Sequence, residues 1–246
     1  MPLSPYRVLS PPFDVAMYFD GVGDYVSLNK NLVGDEGTVE VLAYVLSLPD
    51  WGNILFQTRR GTTVGAMWIG AMVNNTFNFQ IYTKIGWKSI VVDNAVSLRK
   101  WYHFAGTWKV GEPLVGYLNG IVIGTSPVVL EVSPETAPPF YVGRNTERNT
   151  FFYGYVKYVR VYNIKLATDQ INRNMNNPDN PVKSGLILWY KAHPDYVKDI
   201  DNDGVLEWID LSGYGNHGKI YGAQLVQLVK TPARVLMPAR VLSPVR

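Results

Sequence analysis

The chain has 246 residues, of which 47% are hydrophobic, 13% aromatic and 17% charged. This composition supports a large buried core and excludes a globally disordered chain. The formal net charge of +3 is too small to favour nucleic-acid binding. Because cysteine is absent, disulfide frameworks, zinc fingers and thiol catalysis are also excluded.

The N-terminal segment, residues 1–13, contains four prolines and is predicted to form an extended arm, because proline lacks a backbone donor. It has neither the basic nor the apolar region of a signal peptide, and no apolar run of the chain is long enough to span a membrane. We therefore expect synthesis in a cytoplasm and a final place on a virus particle or another extracellular assembly.

Residues 14–175 are predicted to form an all-β domain, either a sandwich or a barrel. Apolar residues alternate in short runs such as Thr38–Val45 and Tyr155–Tyr162, with turn residues between them. Asn119-Gly120 predicts a tight hairpin, because both residues tolerate the positive φ of a type I′ turn.

One short helix is predicted at the end of this domain, with Thr168 as its N-cap and Ile171 and Met175 on one face. Residues 176–184 are polar, contain two prolines and are interpreted as a linker.

Residues 185–223 are predicted to form a strand and loop segment that begins a truncated second copy of the domain or docks on a sandwich. A lone half-domain cannot bury its apolar face, so we expect docking near Val15–Phe19, on the same chain or on a neighbouring subunit. Alternation along the first strand predicts two faces, with Leu186, Leu188 and Tyr190 on one and Ile187 and Trp189 on the other.

Five segments in chain order resemble motifs of one known family: Phe19–Val26, Lys100–Trp108, Tyr117–Gly120, Tyr141–Arg144 and Phe152–Tyr162. They are similar to the strand motifs of the laminin-G-like family of concanavalin A-type sandwiches. The resemblance implies that the all-β domain is an antiparallel two-sheet β-sandwich of the concanavalin A-like jelly-roll type. It leaves the function open, because this sandwich carries many unrelated activities.

The acidic segment 199–210 matches the spacing of a twelve-residue calcium loop, and Ca²⁺ is the expected structural cofactor. The alternative is a solvated acidic turn, since the last position is Asp rather than Glu. The turn that holds Asp20 and Asp24 is a weaker metal candidate, and Asx turns with Gly21 and Gly23 are the favoured interpretation. The predicted ligands of the main site are Asp199, Asp201, Asp203, Val205, Glu207 and Asp210.

Aromatic residues near strand ends are the candidates for sugar binding, because their rings stack on sugar faces; the alternative is that they fill the core. Trp51, Trp87 and Arg144 are the predicted ligand-binding residues, and Trp68, Tyr82 and Phe151 occupy similar positions. Glycosidases of this fold need paired carboxylates, whereas Glu40 stands alone in its strand, so no enzyme activity is expected.

The C-terminal segment 224–246 is predicted to be a second, basic arm that repeats the Arg-Val-Leu unit of the first arm. Proline spacing excludes a helix, and a strap in a groove of another copy is expected, with a disordered tail as the alternative. The predicted subunit contacts are Val8, Leu9, Val235, Leu236, Val241 and Leu242.

These features together predict a non-enzymatic structural or adhesion module of a surface assembly, with glycans and other copies of the chain as partners. A stand-alone carbohydrate-binding lectin is the first alternative, and a glycan hydrolase is the second.

Overall fold

A computed structural model describes residues 14–48, 53–58, 65–129, 132, 139–228 and 238–241. Within them the strands are β1 (Asp14–Asp20), β2 (Tyr25–Leu28), β3 (Glu36–Val45), β4 (Asn53–Thr58), β5 (Met67–Met72), β6 (Thr76–Thr83), β7 (Gly86–Val92), β8 (Trp101–Lys109), β9 (Pro113–Leu118), β10 (Ile121–Val128), β11 (Phe140–Val142), β12 (Arg144–Asn145), β13 (Thr150–Phe151), β14 (Tyr153–Tyr162), β15 (Leu186–Lys191), β16 (Val197–Lys198), β17 (Glu207–Trp208), β18 (Gly218–Tyr221), β19 (Gln224–Leu228) and β20 (Pro238–Val241). The α-helix is α1 (Thr168–Asn176), and short 3-10 turns cover Val73–Asn75 and Pro194–Tyr196.

Two antiparallel sheets form a sandwich, which confirms the predicted fold class. Sheet A has the order β10-β9-β8-β3-β14-β1-β19-β20, and β15 also pairs with β14. Sheet B has the order β16-β17-β18-β2-β11-β4-β5-β6-β7. Strands β12 and β13 form a separate small hairpin. No helix among these residues is long and apolar enough to cross a membrane.

The main core lies between the sheets and contains fully buried phenylalanines from both. The sheets approach so closely that a Cβ at Gly106 of β8 would lie 2.7 Å from the Phe79 ring of β6. The predicted hairpin between β9 and β10 turns at Asn119 and Gly120, whose φ angles of 51° and 76° suit a type I′ turn.

Helix α1 packs on the outer face of sheet A through Ile171, which is fully buried. Its N-cap is Ala167 rather than the predicted Thr168, which is the first helical residue. The Ala167 amide donates to the side chain of Gln170 (2.9 Å), so the side chain three residues on satisfies a backbone donor at the helix start.

The C-terminal segment adds strands to both sheets of the same chain: β15 pairs with β14, β18 with β2, and β19 with β1. The pairing with β1 is therefore made by residues 224–228, at the start of the predicted arm. Leu188 and Tyr190 enter the main core as expected, but Leu186 joins Trp189 in the cluster beneath α1. A register shift between Leu188 and Leu186 breaks the strict alternation that predicted otherwise.

Part of the C-terminal arm is described, because β20 pairs with β19 at the edge of sheet A and places Val241 opposite Val226. This backbone contact lies within one chain. The other predicted subunit contacts, Val8, Leu9, Val235, Leu236 and Leu242, lie outside the described residues.

Candidate ligand-binding face and acidic loop

The outer face of sheet B carries a row of polar and aromatic side chains. The antiparallel registers of the neighbouring strands β2, β11, β4, β5 and β6 align Ser27, Tyr141, Gln57, Trp68 and Gln80. Their chain neighbours Val26, Phe56 and Phe79 are fully buried in the main core. Because successive strand residues point to opposite faces, the row faces away from the core.

Three aromatic residues at one end of this face form what we call the tryptophan group, Trp68, Tyr82 and Trp87. The ring centroids of Trp68 and Trp87 are 4.4 Å apart, and those of Tyr82 and Trp87 are 5.1 Å apart. The Trp68 indole N–H donates to Oδ1 of Asn78 at 3.1 Å. All three rings are partly exposed and belong to none of the hydrophobic clusters found among the described residues.

A second set, the tyrosine group, lies farther along the same face and consists of Tyr25, Tyr141, Phe151 and Tyr221. Tyr25 stacks on Tyr221 with ring centroids 4.7 Å apart and ring planes 18° from parallel. The guanidinium carbon of Arg144 lies 4.8 Å from the Tyr25 centroid. Tyr221 reaches this position because β18, from the C-terminal segment, pairs with β2.

The β12–β13 hairpin contributes Arg144 and Phe151 to the tyrosine group and covers Gln57. The backbone amide of Thr146 at its tip donates to Oε1 of Gln57 at 2.9 Å, and Gln57 on β4 is fully buried. The Asn145 carboxamide oxygen accepts from the amides of Glu147 and Arg148, which shapes the turn. The face therefore presents two aromatic groups, and this hairpin is part of the second.

Two of the three predicted ligand-binding residues lie on this face. Trp87 belongs to the tryptophan group, and Arg144 stacks within the tyrosine group. Trp51, the third, lies outside the described residues. Sequence reasoning did not single out Tyr25, Tyr141 or Tyr221, whose common signal is an aromatic residue beside a buried one in a short strand.

The acidic loop lies beside the tyrosine group and brings Asp199, Asp201 and Glu207 together, with one oxygen of each within 4.8 Å of the others. One Asp199 oxygen accepts from the Gly204 amide at 3.0 Å, whereas its other oxygen, Oδ1, is buried without a partner among the described residues. This geometry, with an unpartnered buried carboxylate oxygen, can hold a cation.

An ammonium group already contacts the cluster. Nζ of Lys219 lies 3.2 Å from Oδ2 of Asp201 and 4.0 Å from Oε1 of Glu207, and it also contacts Asp203. The hydrogen bonds to Asp203 and Asp201 raise the pKa of Lys219, and the bond from Lys219 lowers the pKa of Asp203. A metal ion would have to compete with this lysine.

Two predicted ligands do not join the cluster by their carboxylates. Asp210, expected to close the loop, accepts at Oδ1 from the amides of Trp189 and Ser212 and at Oδ2 from the Ser212 hydroxyl and the Asn216 amide. Asp203 instead pairs with Lys219 and accepts from the Val205 amide at 2.8 Å. Glu207 is the third carboxylate of the cluster, beside Asp199 and Asp201.

The turn with Asp20 and Asp24 forms Asx-type hydrogen bonds. Asp20 Oδ1 accepts from the amides of Val22 (2.8 Å) and Gly23 (3.1 Å), and Asp24 Oδ2 accepts from the amide of Asp20 (2.9 Å). Partial burial raises the pKa of Asp24. Among the described residues, neither aspartate belongs to a group of three potential metal ligands.

Glu40, the isolated acid of β3, is fully buried near α1, where it meets Arg160. Its Oε2 accepts from Nη1 of Arg160 at 3.4 Å, and Nδ2 of Asn174 on α1 lies 3.0 Å from the same oxygen. Burial raises the pKa of Glu40 to about 7, against the opposing effect of Arg160, and burial lowers the pKa of the neighbouring His103 to about 3. These groups form a structural network that a substrate cannot reach.

Comparison with known proteins identifies what the fold resembles. The model of the family described as the concanavalin A-like lectin/glucanases superfamily matches residues 20–172. No curated protein sequence matches this chain significantly.

Solved structures share the fold at low sequence identity. A candidate carbohydrate-binding protein from Bacteroides ovatus superimposes with a TM-score of 0.68 at 20% identity, over 87% of this chain and 60% of that protein. The carbohydrate-binding module CBM40 of a Ruminococcus gnavus sialidase gives 0.54 at 13% identity, over 66% of this chain and 97% of the module. A heptameric pentraxin from Limulus polyphemus gives 0.52 at 16% identity, over 66% of this chain and 82% of the pentraxin. The chain thus spans only 60% of the length of the Bacteroides protein.

Proposed function

Because the chain belongs to the concanavalin A-like lectin/glucanases superfamily, we propose that it is a non-catalytic glycan-binding module whose ligand lies on the outer face of sheet B. The observation that carries this proposal is the pair of partly exposed aromatic groups on that face. Neither group packs in a hydrophobic cluster of the described residues, so stabilising the core does not explain them. Exposed aromatic surfaces with a few convergent polar groups are typical of ligand sites.

The names of two matched structures support the same class of ligand. The Bacteroides protein and the Ruminococcus module are both described as carbohydrate-binding, and this chain shares their fold. The proposal extends that role to this chain through its own aromatic residues, since the shared fold carries no ligand assignment by itself.

The positions of the acids support a non-catalytic role. Glycoside hydrolysis needs two carboxyl groups on either side of the bond that is cleaved. Glu40 is fully buried, and Asp201 and Asp203 are paired with Lys219. None of these carboxylates lies free on the aromatic face.

We propose Ca²⁺ as a structural cofactor of the acidic loop. Asp199, Asp201 and Glu207 would supply its carboxylate ligands, and the unpartnered Oδ1 of Asp199 fits this role. Lys219 would withdraw into solvent, which its partial exposure permits. The ion would then brace the loop next to the tyrosine group.

A role in a surface assembly, such as a virus particle, is a second proposal. It is favoured by β20, in which Pro238–Val241 adds a strand to the edge of sheet A. If the segment were exchanged between copies, the same pairing with β19 of a neighbour would join two subunits by strand addition.

The direct test of glycan binding compares tryptophans on opposite sheets. Trp87→Ala and Trp68→Ala should each weaken binding to any glycan found on an array by at least tenfold. Trp101→Ala is the matched control, because Trp101 is half-buried on sheet A, where it packs against Tyr44 at 5.5 Å. Equal binding by all three variants, or equal loss in the control, contradicts the proposed face.

A further inference from the structure

Arg144 is held rigidly by aromatic rings. Its guanidinium carbon lies 4.8 Å from the ring centroid of Tyr25, 5.6 Å from that of Tyr141 and 5.7 Å from that of Phe151. Such contacts fix the position and plane of a guanidinium group while leaving its N–H groups available at the edge.

The protein leaves most of these N–H groups unused. Nη2 reaches Oδ1 of Asn149 only at 3.5 Å, the limit of a hydrogen bond. Nε is buried without a partner, so the terminal Nη1 and Nη2 groups of this partly exposed residue are the ones that can meet a ligand. Within the described part of the chain, no carboxylate lies within 4.0 Å of Arg144. Arg160 shows the contrast, because it bonds to Glu40 and to two backbone carbonyls.

A charged guanidinium with free donors, fixed beside a proposed sugar surface, fits an anionic group of the ligand. Carboxylates and sulfates match the planar donor pattern of arginine and form charge-assisted hydrogen bonds with it. Because no carboxylate of the described residues pairs with this cation, binding an external acid would break no ion pair among them.

We propose that the ligand is an acidic glycan and that Arg144 binds its carboxylate or sulfate group. This inference rests on the proposed glycan-binding function and names the chemical class of the ligand. The tyrosine group, which includes the exposed Tyr221, is then the subsite for the charged sugar. The tryptophan group contacts the other sugars of the glycan.

The test is an array that carries acidic glycans beside the same glycans without the charge: uronate oligomers and their methyl esters, sialylated and desialylated chains, and sulfated and desulfated chains. We expect binding to acidic members at least tenfold above their neutral partners, and weaker binding as salt rises. A preference for the charged member of the uronate and sialyl pairs indicates a carboxylate ligand, and a preference for the charged member of the sulfate pairs indicates a sulfate ligand.

Three variants assign the effect to Arg144. Arg144→Gln should lose the preference for the acid, and Arg144→Lys should keep part of it. Asn149→Asp places an internal carboxylate 3.5 Å from Arg144, so it should reduce acidic binding without removing the stacked side chain. Arg173→Gln, at an exposed position on α1, is the charge-matched control.

The outcomes separate the two proposals. Neutral and acidic members bound equally, with loss in Trp87→Ala, would overturn the acidic ligand and keep the glycan-binding face. Acidic binding unchanged in both Arg144→Gln and Asn149→Asp would overturn the role of Arg144. An array with no bound member at all would overturn both proposals.

Discussion

The buried pair Glu40 and His103 should give the protein two opposite pH dependences of stability. Burial raises the pKa of Glu40 from 4.5 to about 7, so the folded state holds a proton that the unfolded chain has lost. The stabilisation of the folded state by protonated Glu40 is complete below pH 4.5 and is lost as the pH rises toward 7. Burial lowers the pKa of His103 from 6.5 to about 3, so here stability is lost as the pH falls below 6.5.

The size of each effect follows from the shifts. One pKa unit corresponds to about 1.4 kcal/mol of unfolding free energy, so Glu40 contributes about 3 kcal/mol and His103 about 5 kcal/mol over their full ranges. Between pH 4.5 and 6.5 both groups act with opposite sign and nearly cancel. Over this window each alone would change the unfolding free energy by about 2 kcal/mol, because both groups titrate only partly between these two pH values.

Single variants should separate the two. In His103→Phe only Glu40 remains, so the unfolding free energy should fall by about 2 kcal/mol relative to wild type as the pH rises from 4.5 to 6.5. In Glu40→Gln, whose amide resembles the protonated acid, only His103 remains, so the unfolding free energy should rise by about the same amount over the same pH range. Phenylalanine suits the site because both ring nitrogens of His103 lack hydrogen-bond partners in the described structure.

Urea unfolding at pH 4.5, 5.5 and 6.5, followed by tryptophan fluorescence, measures these slopes. The reasoning is refuted if His103→Phe and the wild type show the same pH dependence, because His103 would then not be buried in its neutral form. A further control, Lys88→Gln, removes a charge on β7 of sheet B, in the sheet that does not contain Glu40, and should leave the slope unchanged.

Three further predictions concern the acidic loop and the two C-terminal segments. Ca²⁺ should raise the melting temperature of the wild type, and should raise it more in Lys219→Met because the competing ammonium group is gone. Asp201→Ala should abolish the rise. Equal melting curves of the wild type in calcium and in chelator would exclude the ion. Deleting residues 185–246 should give an insoluble or unfolded product, since β15, β18 and β19 are lost from both sheets, and a truncated domain that unfolds cooperatively at the wild-type temperature would contradict this. Deleting residues 229–246 should leave the domain folded and convert any oligomer seen by light scattering into a monomer; an unchanged mass would refute an assembly role for the arm.

The sandwich was predictable because its signals are local. Alternating apolar residues and the Asn119-Gly120 turn specify strands and a hairpin without knowledge of distant contacts. The same alternation placed Trp68 on the face opposite the buried Met67 and Ile69.

The candidate site was predictable only in part, because it depends on pairings between distant parts of the chain. Tyr221 meets Tyr25 because β18 returns to pair with β2, and no local pattern encodes that register. Lys219 is brought to the acidic loop by the same return. Glu40 looked isolated in sequence because its partner, Arg160, lies directly opposite it on β14.

The most direct measurement of the central claim is a proton–nitrogen NMR titration of the tryptophan indole signals with the glycan selected on the array. Each indole N–H gives one resonance, and single Trp→Phe variants assign them. The account predicts shifts in the resonances of Trp68 and Trp87, on the outer face of sheet B, with Trp101 on sheet A unchanged. Shifts confined to Trp101, or absent from both Trp68 and Trp87 at saturating glycan, would contradict it.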